Sequence, residues 1–341
     1  MNVKTRTTAP PTARPVRTAL LLGAGVAALA GAMLLSLVAG SKPTPPPEVL
    51  RVFTGGADPY TVTVVESRIP RTIVGVLAGA SLALAGTLMQ GVTRNPLADP
   101  GLLGVNAGAA AAVVTATALL GPTSVTGTVW WALPGALLAG LAAYAVGTRG
   151  GDGGMVRLLL AGAVVSAVLT AYVQAVSLSM PDVFDSYRYW VVGSLAGRGM
   201  DVVLAVLPVV GLGLVIALFV MGGLNALALG DEAAVATGAN VTATRAGGLV
   251  AGVLLAAGAT AAAGPIAFVG LAVPHMVRSL VGVDFRLQVP FAVLVGPVLL
   301  LVADVVGRTV VRPMELMVGV VTAFVGAPVL LYVLRRTKGA S

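Results

Sequence analysis

The chain has 341 residues, of which 57% are apolar and only 10% are charged, with 21 Lys and Arg against 13 Asp and Glu. A soluble domain has roughly 25% charged residues. This chain has too few charged residues to form a water-exposed surface, and its mean hydropathy is +0.97, so lipid must be its main solvent. The lack of cysteine excludes disulfides and thiolate sites, and the single histidine excludes a multi-histidine metal cluster within one chain. No Gly-rich loop ends in Gly-Lys-Ser/Thr, so the chain cannot hydrolyse a nucleotide through a P-loop.

The predicted fold is all-α and polytopic, with about ten transmembrane helices. A spanning helix needs about 20 mainly apolar residues, and charge-poor runs of this length can be read from the sequence. Gly121-Pro122 divides the longest run into two spans, and Gly264-Pro265 is the break that divides the run 246–281. The ten predicted spans are 19–40, 72–91, 102–120, 128–147, 156–179, 202–222, 246–263, 265–281, 289–307 and 316–334.

The distribution of basic residues predicts that both termini are cytoplasmic. Ten crossings place most of the 21 basic residues inside, whereas nine would leave a basic terminus outside, against the positive-inside bias. We therefore predict a cytoplasmic basic tail over 1–18 and a single transmembrane domain over 19–341, with its first span retained and not cleaved as a signal peptide. Within that domain, 41–71 is predicted as an extracytoplasmic loop and 223–245 as a cytoplasmic segment. The basic residues left outside are Lys42, Arg51, Arg68, Arg71, Arg188, Arg198, Arg308 and Arg312.

Arginines at the predicted outer helix ends are the first candidate site. Arg68 and Arg71 flank the start of the second span, with Pro70 expected in its first turn, where a missing N–H costs nothing. Guanidinium groups hold carboxylates bidentately, so the pair could dock a soluble partner; alternatively, both side chains snorkel to lipid headgroups. Arg308 is a third docking candidate, and Asp304 at i−4 offers it an intrahelical ion pair that is compatible with docking.

The segment 226–239 is predicted to form one short helix outside the membrane. Asp231 and Glu232, which follow Gly230, suit a helix N-terminus, where carboxylates offset the dipole, and Gly238 suits the C-terminal stop. Small side chains allow another protein to approach closely, so this helix either seats in a groove of a partner or packs on its own bundle. The small residues are Ala233, Ala234 and Ala236.

Two further segments carry polar or helix-breaking patterns. In the inner turn after the second span, Asn95, Pro96, Pro100 and Gly101 break helicity, which predicts either a tight turn or backbone that lines a cavity. In the fifth span, polar residues at i, i+4, i+8 and i+11 share one helix face. This face is either interhelical glue or the lining of a translocation path, and it carries no carboxylate or histidine for a proton relay. Its members are Ser166, Thr170, Gln174 and Ser177.

Several of these segments together resemble one family. The run 68–104, with Arg68-Ile69-Pro70-Arg71 at its start, and the segments 230–234, 264–278 and 319–328 are similar in order and spacing to permease subunits of ABC importers of the FecCD/BtuC type. These proteins take up iron-siderophores, haem or vitamin B12. The resemblance covers residues 68–334 and leaves the N-terminal tail and much of the loop 41–71 outside it.

The resemblance implies a ten-helix permease of the type II ABC importer fold in the inner cell membrane, and no enzyme. It implies a second permease subunit, two cytoplasmic ATPase subunits that hold ATP and magnesium, and an extracytoplasmic substrate-binding protein, with no nucleic acid and no cofactor on this chain. Arg68, Arg71 and Arg308 would dock the binding protein, the helix from Gly230 to Gly238 would receive the ATPase stroke, and the fifth span would line the path.

The resemblance also assigns His275 to a structural Pro-His-x-x-Arg motif and to no metal. A ferric siderophore is the favoured cargo because that class is the most numerous, with haem or cobalamin as alternatives. An ion-coupled secondary transporter is the alternative of a different class. It would need ionisable residues within the membrane, and Asp304 is the one clear candidate.

Overall fold

The computed structural model describes residues 13–40, 43–148 and 154–338, and the described part is helical without strands. Most of the predicted N-terminal tail and Lys42 lie outside the described residues. A short 3-10 helix, Pro100–Leu103, precedes the fourth α-helix. The α-helices are α1 (Ala13–Val38), α2 (Pro46–Thr54), α3 (Pro59–Thr93), α4 (Val105–Leu120), α5 (Val125–Thr148), α6 (Gly154–Ser179), α7 (Pro181–Trp190), α8 (Met200–Leu227), α9 (Asp231–Ala236), α10 (Val241–Ala263), α11 (Val269–Val281), α12 (Phe285–Val310) and α13 (Val318–Lys338).

Each predicted span overlaps an α-helix, and α2, α7 and α9 lie between the spans. Among the described residues, 7 helices are long and apolar enough to cross a membrane, and α4, α11 and α13 contribute shorter apolar helices. The predicted division of 246–281 is confirmed, because α10 ends at Ala263 and α11 begins at Val269. The number of crossings and the side of each terminus stay predictions.

The start of α3 differs from the prediction. The helix begins at Pro59 and not near residue 72, because Asp58 Oδ1 accepts a hydrogen bond from the Thr61 N–H (3.0 Å) and Pro59 takes the first helical position. Pro70 therefore lies inside the helix and not in its first turn. The segment 41–71, which was predicted as a loop, is mostly helical, with α2 and the first third of α3.

Helix α3 forms the centre of the bundle and packs against α10, α11 and α12. Glycine makes these contacts close: Gly79 faces the backbone of Gly296, and Gly86 faces the carbonyl oxygen of Gly270. A methyl group at either α3 position would overlap the backbone of the neighbouring helix. Small residues of this kind let transmembrane helices gain van der Waals contact where no hydrophobic driving force separates protein from lipid.

The helix ends gather at two opposite ends of the bundle. At one end, the C-termini of α1 and α12 meet the N-terminal third of α3. At the other, Arg94 at the C-terminus of α3 pairs with α9, and Asn225 at the C-terminus of α8 bonds Asp284 before α12. Residues predicted on the extracytoplasmic side and residues predicted on the cytoplasmic side thus collect at separate ends of the bundle. We call these the arginine end and the α9 end, respectively.

We expect Gly86→Ala to lower the thermal stability of the purified permease. The added methyl group must separate α3 from α11, and overpacking of this kind costs about 1–3 kcal/mol. The measurement is the melting temperature in detergent. Gly211→Ala on α8 is the matched control, because no atom lies within 4 Å of the added carbon there and alanine favours the helix. Equal melting temperatures for the two variants would contradict the close α3–α11 contact.

Candidate functional site

An open cavity of about 490 Å³ lies at the arginine end between α3, the segment before α8 and the end of α12. Four arginines line it, and we call it the arginine pocket. It contains all three arginines that the sequence predicted for docking, together with Arg198 and Glu315, which it did not predict. The charged lining residues are Arg68, Arg71, Arg198, Arg308 and Glu315.

Asp304 holds two of these arginines from beneath the pocket. Arg71 donates to Asp304 through Nε (3.1 and 3.3 Å) and Nη2 (2.7 Å), and its Nη1 lies 2.8 Å from Glu315 Oε2. The predicted intrahelical pair of Arg308 with Asp304 is confirmed at 3.0 Å. Arg308 also donates to the carbonyl oxygen and the hydroxyl of Ser36 (3.1 and 3.0 Å), so α1, α3 and α12 are joined here.

Arg68 closes the end of α1. Its Nη1 donates to the carbonyl oxygens of Leu37 (2.7 Å) and Val38 (3.1 Å), which have no partner within their own helix, and to Thr44 Oγ1 (3.3 Å). Arg68 is 7% exposed and Arg308 1%. The arginines predicted for docking are therefore anchored inside the protein and border the pocket from within, and do not extend into solvent. Their docking role stays a prediction.

Arg198 differs from the other three arginines. It is 8% exposed, and the one hydrogen bond that it makes with the described residues runs from Nε to the carbonyl oxygen of Ser194 (3.3 Å). Burial lowers the pKa of Arg198 to about 10, so it remains charged at neutral pH. None of the ion pairs formed by the described residues includes Arg198. In the sequence, the one signal for Arg198 was its place among the basic residues predicted on the extracytoplasmic side, where membrane insertion disfavours them.

Helix α9 is shorter than predicted and is fixed by ion pairs. Residues 226 and 227 belong to α8, and α9 covers Asp231–Ala236. Asp231 stands in the first turn as expected, but its carboxylate pairs with Arg94 of α3 (3.0 Å) and Arg245 of α10 (2.9 Å). The predicted helix end is confirmed, because Gly238 has a left-handed φ of 81° just after the helix, where glycine is favoured.

The two faces of α9 differ. Ala234 is completely buried, which favours the alternative that this side of the helix packs on its own bundle; its coupling role stays a prediction. A helix this short gave no periodicity from which to tell its faces apart. Glu232 and Val235 are exposed, Val235 at 63%. Ala233 is half-buried between the two faces. The surface that α9 offers to a partner thus centres on Val235.

The polar stripe of α6 divides between two environments. Ser166 and Thr170 line a cavity of about 280 Å³ with Asn106 of α4, and Gln174 is exposed. Ser177 is 5% exposed and its hydroxyl has no hydrogen-bond partner among the described residues, so it lies within the bundle here, and its lining role stays a prediction. The stripe turns inward at Ser177 because α6 ends two residues later and the chain enters α7.

The turn after α3 satisfies both of its predicted interpretations. Asn95 Oδ1 accepts from the Leu97 N–H (2.9 Å), and Asp99 Oδ1 from the Gly101 N–H (2.8 Å), which are local turn bonds. Gly101 also lines the cavity beside Ser166. Pro100 is buried, and the carbonyl oxygen of Pro96 accepts from His275 Nε2 (3.0 Å). His275 therefore ties α11 to this turn, and the described residues contain no group of 3 or more potential metal ligands.

Comparison with known proteins identifies the family to which this fold belongs. The model of the FecCD transport family matches residues 28–336. The chain is 47% identical to the ferric enterobactin transport system permease protein FepD of Escherichia coli over 91% of this chain and 93% of FepD. It is 37% identical to the Fe(3+)-citrate import system permease protein YfmD of Bacillus subtilis, with 93% and 92% covered. It is 39% identical to the cobalamin import system permease protein BtuC of Halobacterium salinarum, with 79% and 72% covered.

A solved structure gives the same fold. An inward-facing conformation of a transporter described as a metal-chelate type ABC transporter matches with a TM-score of 0.79 and 25% identity, covering 93% of this chain and 99% of that one. The resemblance inferred from the sequence is confirmed, and the chain is a membrane transport subunit and not an enzyme. The protein belongs to the FecCD transport family, whose members are permease subunits of ABC importers.

Proposed function

We propose that this permease moves a ferric siderophore into the cytoplasm through the inner cell membrane. The cargo is inferred from relatives named for ferric enterobactin and Fe(3+)-citrate, at 47% and 37% identity. The same machinery importing haem or cobalamin is the alternative, and a cobalamin permease is among the relatives. The permease works by alternating access with a second permease subunit and two ATPase subunits, which hold the nucleotide and magnesium.

The proposed transport mechanism is supported by the position of two candidate contact surfaces at opposite ends of one helix. Arg71 in the arginine pocket lies in α3, and Arg94, which pairs with α9, directly follows the last residue of α3. We assign the arginine pocket to an acidic side chain of the substrate-binding protein and α9 to a groove of the ATPase. A rigid helix between the two sites provides a direct route by which docking outside and ATP binding inside influence one another.

The translocation path is assigned to the α6 side of the bundle. Only 22% of the residues in the apolar span of α6 are buried within this chain. Ser166 and Thr170 on the same helix line a polar cavity. A second permease subunit against this face would cover the remaining surface and enclose the cavity between the two subunits. The lining groups are neutral hydroxyls and an amide, which suits a chelate that carries its iron already coordinated and needs no protein ligand.

Docking is tested with Arg71→Gln. Glutamine keeps a hydrogen-bonding group beside Asp304, whereas a charge reversal would place two carboxylates together in a buried site. Loss of a charge-assisted contact costs about 1.5–3 kcal/mol, so the binding-protein concentration that half-maximally stimulates ATPase activity should rise about tenfold or more. Arg51→Gln, at an exposed position on α2, is the control. Equal stimulation of the two assembled complexes would refute the docking assignment.

Coupling is tested with Val235→Glu. A carboxylate at the centre of the exposed face of α9 would be buried without a partner in the ATPase groove, at a cost of about 3–5 kcal/mol. ATP-driven uptake and co-purification of the ATPase subunits should both fall. Val283→Glu is the control, since Val283 is 72% exposed between α11 and α12, at the same end of the bundle. If Val235→Glu supports normal uptake, α9 does not transmit the stroke.

Cargo and energy source are tested by reconstitution. Proteoliposomes containing the complete complex should accumulate radiolabelled ferric enterobactin when the binding protein is outside and ATP is inside. A proton or sodium gradient without ATP should give no uptake, because the stroke comes from the ATPase. Haem and cobalamin serve as competing cargoes. Uptake driven by an ion gradient alone would favour a secondary transporter, and ATP-driven uptake of cobalamin alone would change the cargo assignment.

A further inference from the structure

The arginine pocket carries more positive charge than its own residues neutralise. Four guanidinium groups surround it, and the two carboxylates that pair with them are Asp304 and Glu315. Asp304 serves both Arg71 and Arg308, and Glu315 adds a second contact to Arg71. Among the described residues Arg198 has no carboxylate partner, so the pocket keeps positive charge that can interact with an incoming anion.

Arg198 is the source of this uncompensated charge. It is buried to the same degree as Arg68, yet Arg68 is anchored to carbonyl oxygens at the end of α1 and Arg198 makes one long contact with a backbone oxygen. Burial of a cation without a counter-ion is costly. A position that retains such a group at the wall of an open cavity is suited to receive an anion from outside.

The two carboxylates are held very differently. The side chain of Asp304 is 2% exposed and fixed by Arg71 and Arg308 within the helices. Glu315 lies in the connection between α12 and α13, its side chain is 32% exposed, and it makes a single contact at 2.8 Å with Arg71 Nη1. An arriving carboxylate can therefore replace Glu315 on Arg71 without disturbing the buried pair beneath.

We propose that the arginine pocket is an ion-pair exchange site. Before docking, Glu315 occupies the outer N–H groups of Arg71. During docking, an acidic side chain of the substrate-binding protein takes that position, and Arg198 provides the additional cation that makes the exchange favourable. Glu315 thus competes with the partner, and Arg198 is a determinant of affinity. This inference rests on the proposed docking function and adds two residues of opposite effect to it.

The test measures the Kd of the substrate-binding protein from the same transport system for the complete permease–ATPase complex in nanodiscs. Glu315→Gln removes the competing charge, and we expect the Kd to fall about threefold to tenfold. Arg198→Gln removes the unpaired cation, and the Kd should rise about tenfold, in line with the loss of one charged contact. Arg198→Lys keeps the charge and should restore most of the affinity.

Arg188→Gln is the control, because Arg188 is exposed on α7 and pairs with Asp185 away from the pocket. Assembly and melting temperature of each complex show that the variants fold. An unchanged or higher Kd for Glu315→Gln, or an unchanged Kd for Arg198→Gln, overturns the exchange site. If Arg71→Gln also binds normally, the docking assignment fails as well; if only Arg71→Gln weakens binding, docking stands and the exchange is refuted.

Discussion

The shared use of Asp304 by Arg71 and Arg308 organises the arginine end of the bundle. Asp304 is the shared counter-ion of both guanidinium groups, so its removal would leave Arg308 without a carboxylate in a buried site and Arg71 with Glu315 alone. Arg308 extends the connection to Ser36 at the end of α1, so three helices far apart in sequence meet at one ionic centre. The arginine pocket lies next to this centre, and Arg71 and Arg308 belong to both.

Helix α3 connects this ionic centre to the opposite end of the bundle. It has 35 residues, or about 52 Å at 1.5 Å per residue. Along this length Gly79 and Gly86 bring it into backbone contact with α12 and α11, and Arg94 at its far end pairs with Asp231 of α9. A helix with contacts this close cannot rotate independently of its neighbours. In the proposed coupling, a displacement of α9 would therefore act on a packed block and not on a single flexible segment.

The sequence was informative wherever a local pattern decided the outcome. Span positions followed from apolar run lengths, and the arginine cluster followed from charge on the side that membrane insertion disfavours. The i−4 spacing predicted the pair of Arg308 with Asp304. The partners of Arg71 could not be read, because Asp304 and Glu315 lie 233 and 244 positions away along the chain. The early start of α3 was missed because polar residues such as Glu66 interrupt the apolar run, although the Asp58 cap was a usable signal.

The position of Tyr60 in the wall of the arginine pocket has a consequence for the shape of any partner. Tyr60 and Arg71 lie three helical turns apart on α3, about 16 Å along its axis, yet both line the pocket. The guanidinium groups are thus recessed beneath a rim that α3 itself provides. If a substrate-binding protein docks here as proposed, its contact surface must protrude past this rim, as a loop or a helix tip does, and a flat acidic surface would fit less well.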